Sequence, residues 1–132
     1  MAKITGLAHV GIFVKDLKKS QQFYKDILGF DTTWECEFSD ANNTYTIAII
    51  ANGPVIIELV QKKIQTPLGD GVTDHISMQV DDLDAMIKEL AGKGIKFESD
   101  EPVFEANFLK NGSKWIFFRG PDNEHLELAQ AL

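Results

Sequence analysis

The chain has 132 residues, 44% of them hydrophobic and 25% charged, with a formal net charge of −7, which is the profile of a soluble globular fold. No apolar run approaches the roughly 20 residues that span a bilayer. Twelve lysines and one arginine, Arg119, against 20 acids offer no basic face, so membrane and nucleic acid are both excluded as partners. Cys36 is the single cysteine, which rules out a disulfide framework. Together with an N-terminal stretch that lacks a cleavable signal pattern, this points to the cytoplasm.

The first predicted element is a strand over residues 7–14. Ala8, Val10, Ile12 and Val14 share one face, and Leu7, His9, Gly11 and Phe13 the other. A helix is expected over 17–30, with Leu17, Phe23, Ile27 and Leu28 close to one face and Gly29 as its stop. Strands follow over roughly 32–39, 44–51 and 54–60, separated by the turn-forming segments "SDANNT" and "NGP". In the last of these Val55, Ile57 and Leu59 take one face and leave Glu58 on the other. A segment with Pro67, Gly69 and Gly71, over about 62–72, reads as a linker.

The pattern then repeats. "LAHVGIFVKDL" (7–17) matches "TDHISMQVDDL" (73–83), aligning His9 with His75, Val14 with Val80, Asp16 with Asp82 and Leu17 with Leu83, each 66 residues apart. In the second copy Ile76, Met78 and Val80 take the helix side, leaving His75, Ser77 and Gln79 opposite. A helix is expected over 83–97, with Leu83, Met86, Ile87 and Leu90 on one face and Gly92 or Gly94 as its stop. Strands are expected over roughly 102–109, 114–119 and 124–129, with Asn123 suited to a left-handed turn position. Leu126 and Leu128 leave His125, Glu127 and Ala129 on the other face. The expected fold is α+β: one domain of two paired β-α-β-β-β modules, about 4–61 and 73–130, forming a curved mixed sheet around a cavity.

Each module carries its helix on one face of its sheet, so the other face must be solvated or curl around something. His9, Glu58, His75 and Glu127 all fall on that other face. Two imidazoles and two carboxylates lining one trough make a site for a divalent metal such as Zn, Ni, Co, Mn or Fe. Taken singly, each would be an ordinary hydrogen-bonded histidine or a solvated strand glutamate. Matched positions in both copies favour the metal reading, because a solvated face would not require the same residue types twice. His125 shares the face of Glu127 and is expected to line the cavity or support a ligand. Nothing near Cys36 in sequence would activate its thiol.

In "HVGIFVKDLKKSQQFYKDILGF", "VIIELV", "DHISMQVDDLDA" and "FFRGPDNEHLEL" the chain resembles the vicinal oxygen chelate superfamily, over nearly its whole length. That superfamily includes glyoxalase I, methylmalonyl-CoA epimerase, extradiol dioxygenases and the fosfomycin and bleomycin resistance proteins. The resemblance implies paired modules with a metal between them, held by His9, Glu58, His75 and Glu127. This His-Glu-His-Glu set is similar to bacterial glyoxalase I, which implies a Ni or Zn enzyme isomerising a hemithioacetal of methylglyoxal. In that chemistry Glu127 loosens from the metal to act as base, and Glu58 returns the proton to the neighbouring carbon. A homodimer is also implied. Two positions depart from the glyoxalase I pattern: Phe13 stands where an arginine usually holds a glutathione carboxylate, and Lys62 where an asparagine is usual.

Two other functions compete with this one. A second metal enzyme of the superfamily, an acyl-CoA epimerase or a ring-cleaving dioxygenase, would recruit Lys62, Lys63, Lys110 or Lys114 for a CoA tail, or Fe(II) or Mn with O₂. A non-catalytic module binding a small drug would use an aromatic cavity built from Phe13, Trp34, Trp115 and Phe117. Those aromatics are otherwise expected to lie mostly in the core.

Overall fold

The computed structural model describes residues 1–71 and 73–132; Val72, the last residue of the expected linker, lies outside them. The described backbone forms two compact units, Met1–Leu68 and Gly69–Leu132. The first contains β1 (Val10–Phe13), α1 (Leu17–Leu28), β2 (Asp31–Ser39), β3 (Thr44–Asn52) and β4 (Val55–Lys62). The second contains β5 (Ile76–Gln79), α2 (Leu83–Gly92), β6 (Val103–Glu105), β7 (Ser113–Arg119) and β8 (His125–Ala131). The sheet order β1-β4-β3-β2 recurs as β5-β8-β7-β6. In each, the first strand lies parallel to the last and the remaining pairs are antiparallel. Two four-stranded mixed sheets with two helices give the α+β class expected from the repeat.

Both helices start by the same device. Asp16 and Asp82 hold extended backbone and accept hydrogen bonds from the Lys19 and Ala85 amides at 3.1 and 3.0 Å, caps of the kind that stabilise by about 1 kcal/mol. A glutamine from the last strand of each unit takes the next free amide. Gln61 Oε1 accepts from Leu17 at 2.6 Å and Gln130 Oε1 from Leu83 at 2.9 Å, so each helix start is tied to the strand that also carries the glutamate. α1 stops where expected, with Gly29 at φ 74° and the Phe30 amide reaching back to the Tyr24 carbonyl at 3.0 Å. α2 ends at Gly92, short of 97, because Gly94 turns left-handed at φ 90° and Ile95 bonds back to Leu90 at 3.0 Å.

Alternation decides what is buried. In the first unit Val14, Leu17, Tyr24, Ile50, Ile57 and Leu59 form the core, with Tyr24 edge-on to Phe30 at 5.6 Å. Met78, Leu83, Leu90, Ile116, Phe118, Leu126 and Leu128 fill the same role in the second. Of the helix-facing sets expected for β4, β5 and β8, Ile57, Leu59, Met78, Leu126 and Leu128 are buried and Val55 and Ile76 half-buried; Glu58 and Glu127 fall on the other face, where Val60 is buried as well. β6 departs from expectation: it covers only Val103–Glu105 rather than 102–109. The chain turns at once, with Phe108 bonded back to the Glu105 carbonyl at 3.3 Å and Leu109 left-handed at φ 62°. Asn123 takes the left-handed position at φ 66° that its turn requires.

Candidate functional site

Each candidate histidine stands one residue ahead of a first strand, and each candidate glutamate sits in the adjacent parallel strand. In the first unit Gly11 pairs with Glu58; in the second Ser77 pairs with Glu127. This register brings His9 Nε2 within 3.4 Å of Glu58 Oε2, and His75 Nε2 within 3.9 Å of Glu127 Oε2. Both distances exceed the roughly 2.7–3.2 Å of a hydrogen bond. The first matches the roughly 3.4 Å between two donors that each stand ~2.1 Å from one ion at a tetrahedral angle, and the second is wider than that spacing. Each unit thus offers one imidazole nitrogen and one carboxylate oxygen, a pair that could hold part of a divalent metal's coordination shell. Among the described residues, neither unit gathers three or more His, Cys, Asp or Glu side chains as a metal site by itself.

The second unit surrounds its pair with partners. Ser77 Oγ donates to Glu127 Oε1 at 2.6 Å. His75 Nδ1–H donates to Asp74 Oδ2 at 2.7 Å, and that bond holds the Asp74 carboxyl below the usual carboxylate range. The His75 ring meets Phe117 edge-on at 5.2 Å, and Phe117 stacks on His125 at 4.5 Å. His125 lies 3.7 Å from Asp74 and 3.1 Å from Glu98. Arg119 closes the network by binding Glu98 at 3.0 Å and Asp70 through Nη1. Arg119 is therefore engaged by two carboxylates of its own unit.

In the first unit a cavity of about 280 Å³ lies against Glu58, walled by Phe13, Phe38, Tyr45, Ile47 and Val60. Phe38 and Tyr45 stack there at 5.1 Å with a 17° interplanar angle. Lys62 Nζ sits 4.4 Å above the Phe13 ring and donates to Thr66 at 2.9 Å.

The sequence-predicted residues thus divide between the two units. His9, Glu58, Phe13 and Lys62 gather in the first; His75, Glu127, Phe117 and His125 gather in the second. Trp34 joins neither group. The expectation that these aromatics lie mostly in the core fails: Phe13 and Trp34 are 50% and 65% exposed, and Trp115 and Phe117 are only half-buried. Phe13 alternates with buried Val14, and Trp34 lies on the edge strand β2, all nine of whose residues are exposed. Sequence reasoning passed over Asp74, Ser77, Glu98, Phe38 and Tyr45. For Ser77 a signal was present, since alternation already puts it on the face of His75; Phe38 and Tyr45 carried none, because which wall they form depends on the pairing of β2 with β3.

The model of the glyoxalase/bleomycin resistance protein/dioxygenase superfamily matches residues 8–117. A probable lactoylglutathione lyase of Synechocystis is 32% identical over 131 residues, covering 94% of this chain and 94% of that protein. The uncharacterized protein YwbC of Bacillus subtilis is 29% identical over 125 residues, covering 92% of this chain and 94% of its own length. Among solved structures, the fosfomycin resistance protein FosX of Listeria monocytogenes shares the fold with a TM-score of 0.74 at 19% identity, covering 98% of this chain and 96% of that one. No helix of the described residues is long and apolar enough to cross a membrane.

Proposed function

From the premise that the chain belongs to the glyoxalase/bleomycin resistance protein/dioxygenase superfamily, we propose that it is a metal-dependent isomerase of the glyoxalase type. Its substrate on this reading is a hemithioacetal of a 2-oxoaldehyde. The observation that carries the proposal is the His–Glu pair at 3.4 Å in one unit and its counterpart at 3.9 Å in the other, at equivalent positions of the repeat. On this reading His9, Glu58, His75 and Glu127 are the ligands of a divalent ion, and the protein is a homodimer. The donor set fits such an ion: neutral imidazoles and carboxylates without thiolate suit Ni, Zn, Co, Mn or Fe(II). FosX, which shares the fold, has been crystallised with Mn(II).

A bound divalent ion would supply Lewis acidity toward the two neighbouring oxygens of the substrate, which would make the proton on the carbon next to the carbonyl removable. The chain's own contribution is a carboxylate that takes that proton and a carboxyl that gives one back to the adjacent carbon. The apolar walls beside Glu58 receive the carbon arm of the substrate and keep water from the proton in transit. The thiol arm meets a different surface from the one the resemblance implies. Phe13 replaces the expected arginine, and Arg119 is held by Asp70 and Glu98, so a compact or apolar thiol suits the site better than a peptide carboxylate.

The test is metal binding by the purified protein, followed by turnover of hemithioacetals made from several thiols. His9→Ala and His75→Ala, one from each unit, should each weaken binding of about one equivalent of Ni(II) or Mn(II) by an order of magnitude or more. Absence of metal binding by the unaltered protein would transfer the site to a second reading, a non-catalytic binder of small apolar molecules. The stacked Phe38–Tyr45 wall favours that alternative.

A further inference from the structure

The internal repeat allows the two candidate half-sites to be compared position by position, and they differ in one consistent way. His75 is preceded by Asp74, whose carboxylate takes its Nδ1–H at 2.7 Å; the equivalent position before His9 is Ala8, which has no polar side chain. Glu127 faces Ser77, whose hydroxyl donates to its Oε1 at 2.6 Å; Glu58 faces Gly11, which can donate nothing from a side chain. A Cβ built on Gly11 would rest in ordinary van der Waals contact with Glu58 Oε1 at 3.7 Å, so the glycine leaves room for a methyl group, and no donor, beside that carboxylate. Exposure runs the same way, with the Glu58 side chain 27% exposed and that of Glu127 13%.

Resting on the proposed metal-dependent reading, we infer that the half-sites divide the work: Ser77 is a positioning residue that fixes Glu127 as a permanent ligand, and Glu58 is the labile carboxylate that acts as base. This reverses the order implied by the family resemblance, in which Glu127 loosens. Two independent observations meet here. One is the hydroxyl that occupies Glu127 Oε1 and leaves only Oε2 directed at His75, so that rotation of this carboxylate breaks a 2.6 Å bond. The other is the apolar cavity, which borders Glu58; a base must stand beside the carbon it deprotonates. Glu58 takes the carbon-bound proton, and the electron pair left behind is delocalised onto the adjoining carbonyl oxygen. The same carboxyl then delivers that proton to the neighbouring carbon while the hydroxyl proton on the first carbon passes to the adjoining oxygen, so a new carbonyl forms where the hydroxyl stood and the isomerisation balances with no oxidant or second reactant.

The experiment uses Mn(II) alone, titrated by electron paramagnetic resonance into the full-length protein and its Ser77→Ala, Glu127→Gln, Glu58→Gln and Ser77→Ala/Glu127→Gln variants. Ser77 is exposed and outside the core, so its truncation leaves the fold intact. Ser77→Ala is expected to weaken Mn(II) binding about tenfold. That loss should vanish in the Glu127→Gln background, where there is no carboxylate to position. Glu58→Gln should weaken binding less than about threefold, and Glu127→Gln far more. The inference falls if Ser77→Ala leaves the affinity unchanged, if its effect persists in the Glu127→Gln background, or if Glu58→Gln costs as much as Glu127→Gln. Failure of the unaltered protein to bind Mn(II), Ni(II) or Zn(II) removes the proposed function and this inference together, whereas intact binding with equal losses at the two glutamates removes only the inference.

Discussion

Removing the Asp74 carboxylate charge is a sharp test of the second half-site. Asp74→Asn keeps the side chain's shape but replaces a charge-assisted acceptor, 2.7 Å from His75 Nδ1, with a neutral amide. Partners that orient a metal-ligating imidazole are worth about 10–100-fold in metal affinity. Two features place this one at the low end of the range. The Asp74 side chain is 76% exposed, so water competes for its oxygens. The His75 ring also keeps its edge contact with Phe117 at 5.2 Å when Asp74 changes. The expected loss is therefore about tenfold in Mn(II) affinity. Glu98→Gln serves as the neighbouring control: Glu98 touches His125 and Arg119 and has no contact with the His75 ring among those described, so its loss should change affinity less than about twofold. Nitrogen-15 NMR of the metal-free protein supplies a second readout, because Asp74 selects the tautomer with the proton on Nδ1 and leaves Nε2 free to ligate. If Asp74→Asn changes neither the affinity nor the His75 tautomer, the pinned half-site is wrong.

Three further outcomes follow from particular contacts. Leu59→Ala removes a side chain with no exposed surface and should lower stability by about 2–5 kcal/mol, read as a shift in urea midpoint at constant slope. Phe38→Ala removes half of the stacked wall beside Glu58. Since Phe38 is 54% exposed, stability should hardly change, while KM for an aromatic 2-oxoaldehyde adduct should rise about fivefold with kcat nearly constant. Asp70 is held below the usual carboxylate range first by its hydrogen bond from Arg119. A depressed native pKa contributes stability that is present above the unfolded value of about 4 and lost as pH falls through the native value. Urea midpoints should thus fall less steeply between about pH 5 and pH 3 in Asp70→Asn than in the unaltered protein, and identical slopes would refute the pairing.

How far these features could be read in advance depended on whether they were local. The repeat was legible because His9 and His75, Asp16 and Asp82 recur at one offset, and period-two alternation then placed Glu58 and Glu127 opposite the buried sets. The capping role of Asp16 and Asp82 is also local, each acting within three residues of itself, but their recurrence alone did not reveal it. The distinction between the two glutamates was not legible, because it arises from which residue a parallel neighbour presents, Gly11 or Ser77, and register is a property of two strands 47 or 50 residues apart. Arg119 was equally opaque: its partner Asp70 comes from a segment with no strand or helix, 49 residues away. Phe13 illustrates a conflict between two signals. Its composition suggested core, but alternation put it on the face of His9 and Gly11, and alternation was right.

The same Phe13 bears on what the site would accept. An arginine at this position would offer five fixed donors to a carboxylate. The ring instead lies under the Lys62 ammonium at 4.4 Å, which satisfies the cation from below while Thr66 takes one of its hydrogens. A substrate carboxylate arriving there would have to compete with both contacts and would gain a mobile point charge rather than a planar fork. An apolar arm would gain the Phe38–Tyr45 stack and displace only water from a wall of aromatic and aliphatic carbon. Turnover of adducts that share one 2-oxoaldehyde but differ in thiol therefore discriminates directly. A preference for a small or aromatic thiol over glutathione follows from this wall, and a strong preference for glutathione would mean that its carboxylates are held by groups other than Phe13, Lys62 and Arg119.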